Sequence, residues 1–128
     1  MQPQDQSEAL ERPLRVVMRP GRETVVIGLQ GVLDVSTKQL LTGQLDEVMA
    51  QTSPHPPGLI IDLSQLTFCD SSGLSALVVA RERLEAAGRP LALAGARGRV
   101  KRLLHRTGVE AVFHCYATAA DAESALGR

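Results

Sequence analysis

Aromatic residues make up only 2% of this chain; Phe68, Phe113 and Tyr116 are all there are. Binding of single-stranded nucleic acid relies on several exposed rings for base stacking, so that class is disfavoured. An excess of one charge is missing too. Its 14 basic residues balance 14 acidic ones, which leaves no electrostatic footprint for DNA or RNA. Cys69 and Cys115 lack CxxC spacing and give no zinc site. In a core-forming sequence they fit a reducing compartment better than a disulfide. No stretch approaches the ~18 consecutive apolar residues of a membrane span. The opening MQPQDQSEALERP has no apolar centre of the kind a signal peptide needs. The expectation is a soluble, cytoplasmic protein that inserts in no membrane. No GxxxxGK[ST] or GxGxxG phosphate loop occurs, nor a GxSxG nucleophile turn, and no cofactor is expected.

What the chain does have is aliphatic. Hydrophobic residues make up 44% of its 128 positions, enough for one core built from Leu, Val, Ile and Ala. Residues 1–12 are polar and charged and read as a disordered tail, with one domain over 13–128. LRVVMR and ETVVIGLQG form a β-hairpin across Arg19-Pro20-Gly21-Arg22, a type II turn with Gly21 at positive φ. Ser36 and Gln39 have capping-box spacing, and Leu41, Leu45, Val48 and Met49 mark a helix over 37–51. After the Pro-rich loop 53–58, GLIIDL is a short strand covered on both faces. Leu74, Leu77, Val78 and Leu84 mark a second helix ended by Gly88. PLALAG, a third helix stopped by Gly108, the strand VFHCY and a helix capped by Thr118 complete the order β-β-α-β-α-β-α-β-α. Such alternation predicts an α/β fold. Its sheet is mixed and mostly parallel, with about five strands, an N-terminal antiparallel hairpin and four helices.

Asp70-Ser71-Ser72-Gly73, at a strand-to-helix junction, can be read three ways: helix cap, nucleophile, or acceptor of a phosphate. Capping is the commonest use of Asp and Ser at such places. Yet one cap residue suffices, and Gly73 is a poor helix former whose bare backbone permits close approach. A phosphate on a hydroxyl at a helix start meets unpaired N–H groups and the positive end of the dipole. Nucleophilic catalysis lacks a partner. His55 lies in the Pro-rich loop and His105 among basic helix residues, while packing is the ordinary role for His114. Gly31-Val32-Leu33-Asp34 precedes the first helix. If both helices follow parallel strands, Asp34 and Ser71 share the carboxyl edge of the sheet, where sites form in open α/β folds.

GVLDVST at 31–37, LIIDLSQLTFCDSSGLSALV at 59–78 and PLALAG…VKRLLHRTGVEAVF together resemble STAS domains of the anti-sigma factor antagonist family. The resemblance covers about residues 14–126. It implies a regulatory binding protein, not an enzyme. Such a protein, when unphosphorylated, binds an anti-sigma factor that is also a serine kinase, and so releases the sigma factor. By the same resemblance, phosphorylation on Ser71 inactivates it and a PP2C-type phosphatase restores it. Asp34, Asp70, Ser72 and Gly73 correspond to the partner-binding surface. Two positions depart from the family pattern: Ser75 stands where many members have a second Gly, and Val32 where many have an acidic residue. STAS-type domains also serve as accessory subunits of lipid-transport or other membrane transporter complexes, which is the alternative function.

Overall fold

Sequential right-handed crossovers, each stepping to the next strand on the same side, deliver their helices to one face of a sheet. That rule organises this molecule. The computed structural model describes residues 13–21, 23–51 and 57–126; the tail expected over 1–12 lies outside them. Strands β1 (Leu14–Pro20), β2 (Thr24–Leu33), β3 (Gly58–Cys69), β4 (Leu91–Ala94) and β5 (His114–Tyr116) lie in the order β1-β2-β3-β4-β5. The first pair is antiparallel and the other three are parallel. Helices α1 (Lys38–Ala50), α2 (Ser71–Ala86) and α3 (Gly98–Arg106) follow β2, β3 and β4, and α4 (Ala119–Leu126) follows β5.

The core divides accordingly. On one face Ile27, Leu29, Ile61, Leu63 and Leu93 pack with Leu41 and Leu45 of α1, Leu77 and Leu84 of α2, and Leu104 of α3. On the other face Val26, Ile60, Ala92 and Ala94 receive Ala122 of α4. The two-residue alternation of the strands sets which side chain goes where.

Three local expectations change. The hairpin forms, but positive φ falls on Glu23 at 58°, not on Gly21, and β1 runs on through Pro20 opposite Val25. Strand β3 has 12 residues, twice GLIIDL. Register shifts between Gly28 and Gln30 and between Gly31 and Val32 break the alternation that marks a strand in sequence. Gly31 sits at φ 109°, where a Cβ would collide with the Pro13 carbonyl. The last strand is shorter than VFHCY, because Val109–Ala111 form a 3-10 turn and Phe113 is a buried anchor.

Arg89 was not singled out by pattern, yet it is 6% exposed. Its Nε donates to the Pro57 carbonyl at 2.9 Å and its Nη1 to the Val48 carbonyl at 3.4 Å. A cation at the last turn of α1 meets the negative end of the helix dipole. Burial pulls its pKa below the ordinary arginine value, and the two carbonyls offset that desolvation.

Candidate functional site

Strands β2 and β3 run parallel and end in register, Leu33 opposite Cys69. Neighbouring strands lie about 4.8 Å apart, so Asp34 and Asp70 leave the sheet side by side at its carboxyl edge. A backbone bond ties the two exits, since the Asp70 N–H donates to the Leu33 carbonyl at 3.2 Å. The edge inferred from topology is therefore formed, with the starts of α1 and α2 on it.

Asp34 organises the first exit. Its Oδ1 accepts the Ser36 N–H at 3.0 Å, the Ser36 hydroxyl at 2.8 Å, and both the N–H and the hydroxyl of Thr37 at 3.2 Å. The Asp34 N–H in turn donates to Thr37 Oγ1 at 2.9 Å. This is the reciprocity expected of Ser36 and Gln39, displaced two residues upstream to Asp34 and Thr37. Thr37, not Ser36, is the residue before α1, and it is 2% exposed. The Ser36 hydroxyl, followed by the backbone and Thr37 donors, holds the Asp34 carboxyl below the usual carboxylate range, against a smaller opposing effect of burial.

Asp70 organises the second exit. Its backbone is extended, and Oδ1 accepts the Gly73 N–H at 2.9 Å, capping α2. Of the three residues able to cap, Asp70, Ser71 and Ser72, it is Asp70 that does so. Ser71, the first residue of α2, is exposed and Ser72 is half-buried. Among the described residues neither serine hydroxyl has a hydrogen-bond partner. Gly73 is buried, and the molecule that approaches it is its own chain. A Cβ there would lie 2.5 Å from the Leu33 carbonyl oxygen and 2.9 Å from Cys69 Sγ. Its part is to let α2 settle on the end of β2, and it reaches a partner only through its neighbours. Burial, with Asp70 beside it, pushes the Cys69 thiol up to about 11, so that sulfur is neutral and unreactive.

Exposed apolar side chains flank these two exits and continue along α2. Val35 is 62% exposed and Phe68 38%. Val79, also exposed, lies eight positions after Ser71, on the same side of α2 through Ser75. The Arg99 guanidinium stacks 5.6 Å from the centre of the Phe68 ring and donates through Nε to the Thr67 carbonyl at 3.2 Å. Sequence reasoning passed over Val35, Phe68, Val79 and Arg99. A valine between turn-forming polar residues was the readable signal for Val35. Nothing local joins Phe68 to Arg99.

The chemistry open to this edge is recognition and modification. His105 and His114 are both exposed, and His105 Nδ1 lies 2.5 Å from Glu110 Oε1. His114 therefore lacks the packing role expected of it. Among the described residues no histidine hydrogen-bonds Ser71 or Ser72, and no cluster of three His, Cys, Asp or Glu residues is placed to hold a metal. His55 lies outside the described residues. No helix among those residues is long and apolar enough to cross a membrane.

Comparison with known proteins gives the same frame. The family model described as the STAS domain matches residues 15–122. An anti-sigma F factor antagonist from Paenibacillus polymyxa is 26% identical over 103 residues, covering 80% of this chain and 86% of that protein. An anti-sigma factor antagonist from Mycobacterium paratuberculosis superposes with a TM-score of 0.79 at 29% identity, over 90% of this chain and 95% of that one. The phosphorylated form of the Bacillus cell fate determinant SpoIIAA superposes with a TM-score of 0.63 at 24% identity, over 87% and 96%.

Proposed function

The chain belongs to the STAS domain family, and from that premise we propose that it is an anti-sigma factor antagonist working by partner switching. Unphosphorylated, it binds an anti-sigma factor serine kinase through the edge that carries Asp34 and Asp70 and frees the sigma factor. The kinase then phosphorylates Ser71, the complex separates, and a PP2C-type phosphatase returns the chain to its binding form. In this reading the chain is a kinase substrate and a binding protein, and it performs no catalysis of its own.

One observation carries the reading. Ser71 presents an exposed hydroxyl, unpartnered among the described residues, at the first residue of a helix that Asp70 already caps. Modification there breaks no internal bond. The added phosphate brings nearly two negative charges next to Asp70 and onto the edge that also carries Asp34, where like charges repel. An anion held next to the N-terminus of α2 is tolerated by the fold. In a closed interface the same charge must be desolvated. A penalty of about 2–5 kcal/mol for unmatched interfacial charge weakens binding roughly 30- to 4000-fold. The two relatives named as antagonists support this assignment, and so does the phosphorylated form known for SpoIIAA.

The test is capture of the partner with wild-type chain and with Ser71→Glu, followed by incubation of the purified pair with ATP. Wild type is expected to retain an ATP-binding anti-sigma factor that the variant loses, and to gain one phosphate on Ser71. Stoichiometric phosphate on a Ser71→Ala chain would sink the site assignment. Recovery of a transporter ATPase in place of an anti-sigma factor would select the accessory-subunit function instead.

A further inference from the structure

The chain is neutral overall, yet its charges are not evenly spread. Arg97, Arg99, Lys101, Arg102, His105 and Arg106 crowd segment 97–106, and all six are exposed. Val100 and Leu104 are buried, so the helix period turns the cationic positions outward. Among the described residues Arg97, Lys101, Arg102 and Arg106 have no ion-pair partner. A groove of about 640 Å³ runs along this face from Gly98 to Glu110. A solvated helix face is the ordinary explanation for such a run. Continuity argues for more: Arg99 lies against Phe68 and Thr67, the last residues of β3 before Cys69 and the switch serine.

We infer that this face of α3 is a second half of the docking surface, occupied by an acidic patch on the same anti-sigma factor. The inference rests on the partner-switching reading above. Two features favour a protein over a polyanion such as nucleic acid or an anionic membrane. Asp34 and Asp70, and a phosphate on Ser71, stand along the same edge and would repel a broad negative surface. Exposed Phe68, Val35 and Val79 supply the apolar centre of a protein interface, with arginines at its rim. Charges at a rim act on the rate of encounter and its salt dependence more than on the lifetime of the complex. Phosphorylation strikes the other half, so the two halves are separable.

Association and dissociation rates with the purified anti-sigma factor decide the matter, for full-length wild type, R97E/R102E/R106E and Ser71→Glu. Each is measured at about 50 mM and about 500 mM salt, where screening differs severalfold. The triple variant is expected to associate about tenfold more slowly at low salt. Its dissociation rate should stay within about twofold of wild type and the difference should shrink at high salt. An association rate equal to wild type, or one slowed equally at both salts, overturns the proposal. R97Q/R102Q/R106Q, which only removes charge, should show a smaller loss of the same kind and serves if the reversed variant fails to fold. Ser71→Glu reads the other question: if it binds like wild type, partner switching fails whatever the triple variant does. Binding of wild type to phosphatidylserine vesicles or duplex DNA at about 150 mM salt, lost in the triple variant, would assign the face to a polyanion and overturn the proposal. Faster association by a chain lacking residues 1–12, which carry Asp5, Glu8 and Glu11, would assign it to the chain's own tail and overturn it as well.

Discussion

The Leu33 carbonyl receives the Asp70 N–H at 3.2 Å, and a Cβ on Gly73 would lie 2.5 Å from the same oxygen. A backbone oxygen within β2 cannot step aside as a flexible side chain can. Gly73→Ala is therefore expected to push α2 outward and to cost about 1–3 kcal/mol, as overpacking does. Urea unfolding of the two chains measures it. An alanine variant as stable as wild type would mean that the first turn of α2 sits more loosely than it does here.

Asp34 yields a pH dependence with a definite sign. Its carboxyl is held below the usual carboxylate range by the Ser36 hydroxyl first. A depressed carboxyl stabilises the fold above its unfolded pKa of about 4 and loses that contribution as pH falls through the folded value. Wild type should exceed Asp34→Ala in stability at neutral pH, and the two should converge on acidification. Chemical denaturation from about pH 6 to about pH 2.5 checks this. A gap that stays constant over that window would count against an electrostatic contribution from Asp34.

The two thiols should react in a fixed order. Cys69 is buried and pushed up to about 11, whereas Cys115 is exposed. In the native protein a thiol reagent should label Cys115 and leave Cys69 untouched until the chain unfolds. Partial loss of solvent around the sulfur, with Glu110 nearby, also raises the Cys115 thiol, so its labelling should be slow at neutral pH and quicken in alkali. Because Cys69 is raised in the folded state, its share of stability is present below the unfolded thiol value of about 8.5. That share is lost as pH climbs through about 11. Mass spectrometry of partly labelled protein reads the order directly.

Arg89 should resist replacement even though it lies at the opposite end of α1 from Asp34. Its guanidinium satisfies the Pro57 and Val48 carbonyls. Arg89→Met keeps most of the apolar stem and strands both oxygens, at a cost of about 1–3 kcal/mol. Thermal unfolding should show the loss, while capture of the partner at temperatures where the variant is folded should match wild type.

The element order and the shared carboxyl edge were legible because they rest on signals carried by neighbouring residues. Alternating strands and helices dictated parallel pairing, and parallel pairing brought Asp34 beside Asp70. Thr118 capped α4 as read, accepting the Asp121 N–H at 3.1 Å. Failures came where two equivalent signals stood a residue or two apart, or where partners were distant in sequence. Ser36/Gln39 and Asp34/Thr37 have the same spacing, and the tie goes to Asp34 because Thr37 Oγ1 also donates to the Val32 carbonyl at 2.9 Å. The length of β3 was hidden by bulges that only pairing with β2 reveals. Arg89 sits 32 residues from the Pro57 carbonyl it holds, and no window of local sequence spans that interval.

Strand β1 runs antiparallel to its neighbour, with Leu14 opposite Gly31 and the Pro13 carbonyl accepting the Val32 N–H at 2.5 Å. Leu126 lies at the other edge, packed where β3 begins, beside Gly58 and Pro90. Whatever is attached ahead of residue 13 enters the molecule next to Asp34, whereas an attachment after residue 126 leaves from the far side. An affinity handle or fluorophore joined directly at residue 13 would sit at the surface being assayed, and one joined after residue 126 would leave it clear. The hairpin thus decides how this protein should be tethered to a sensor, because it brings the start of β1 to the end of β2 that leads into Asp34.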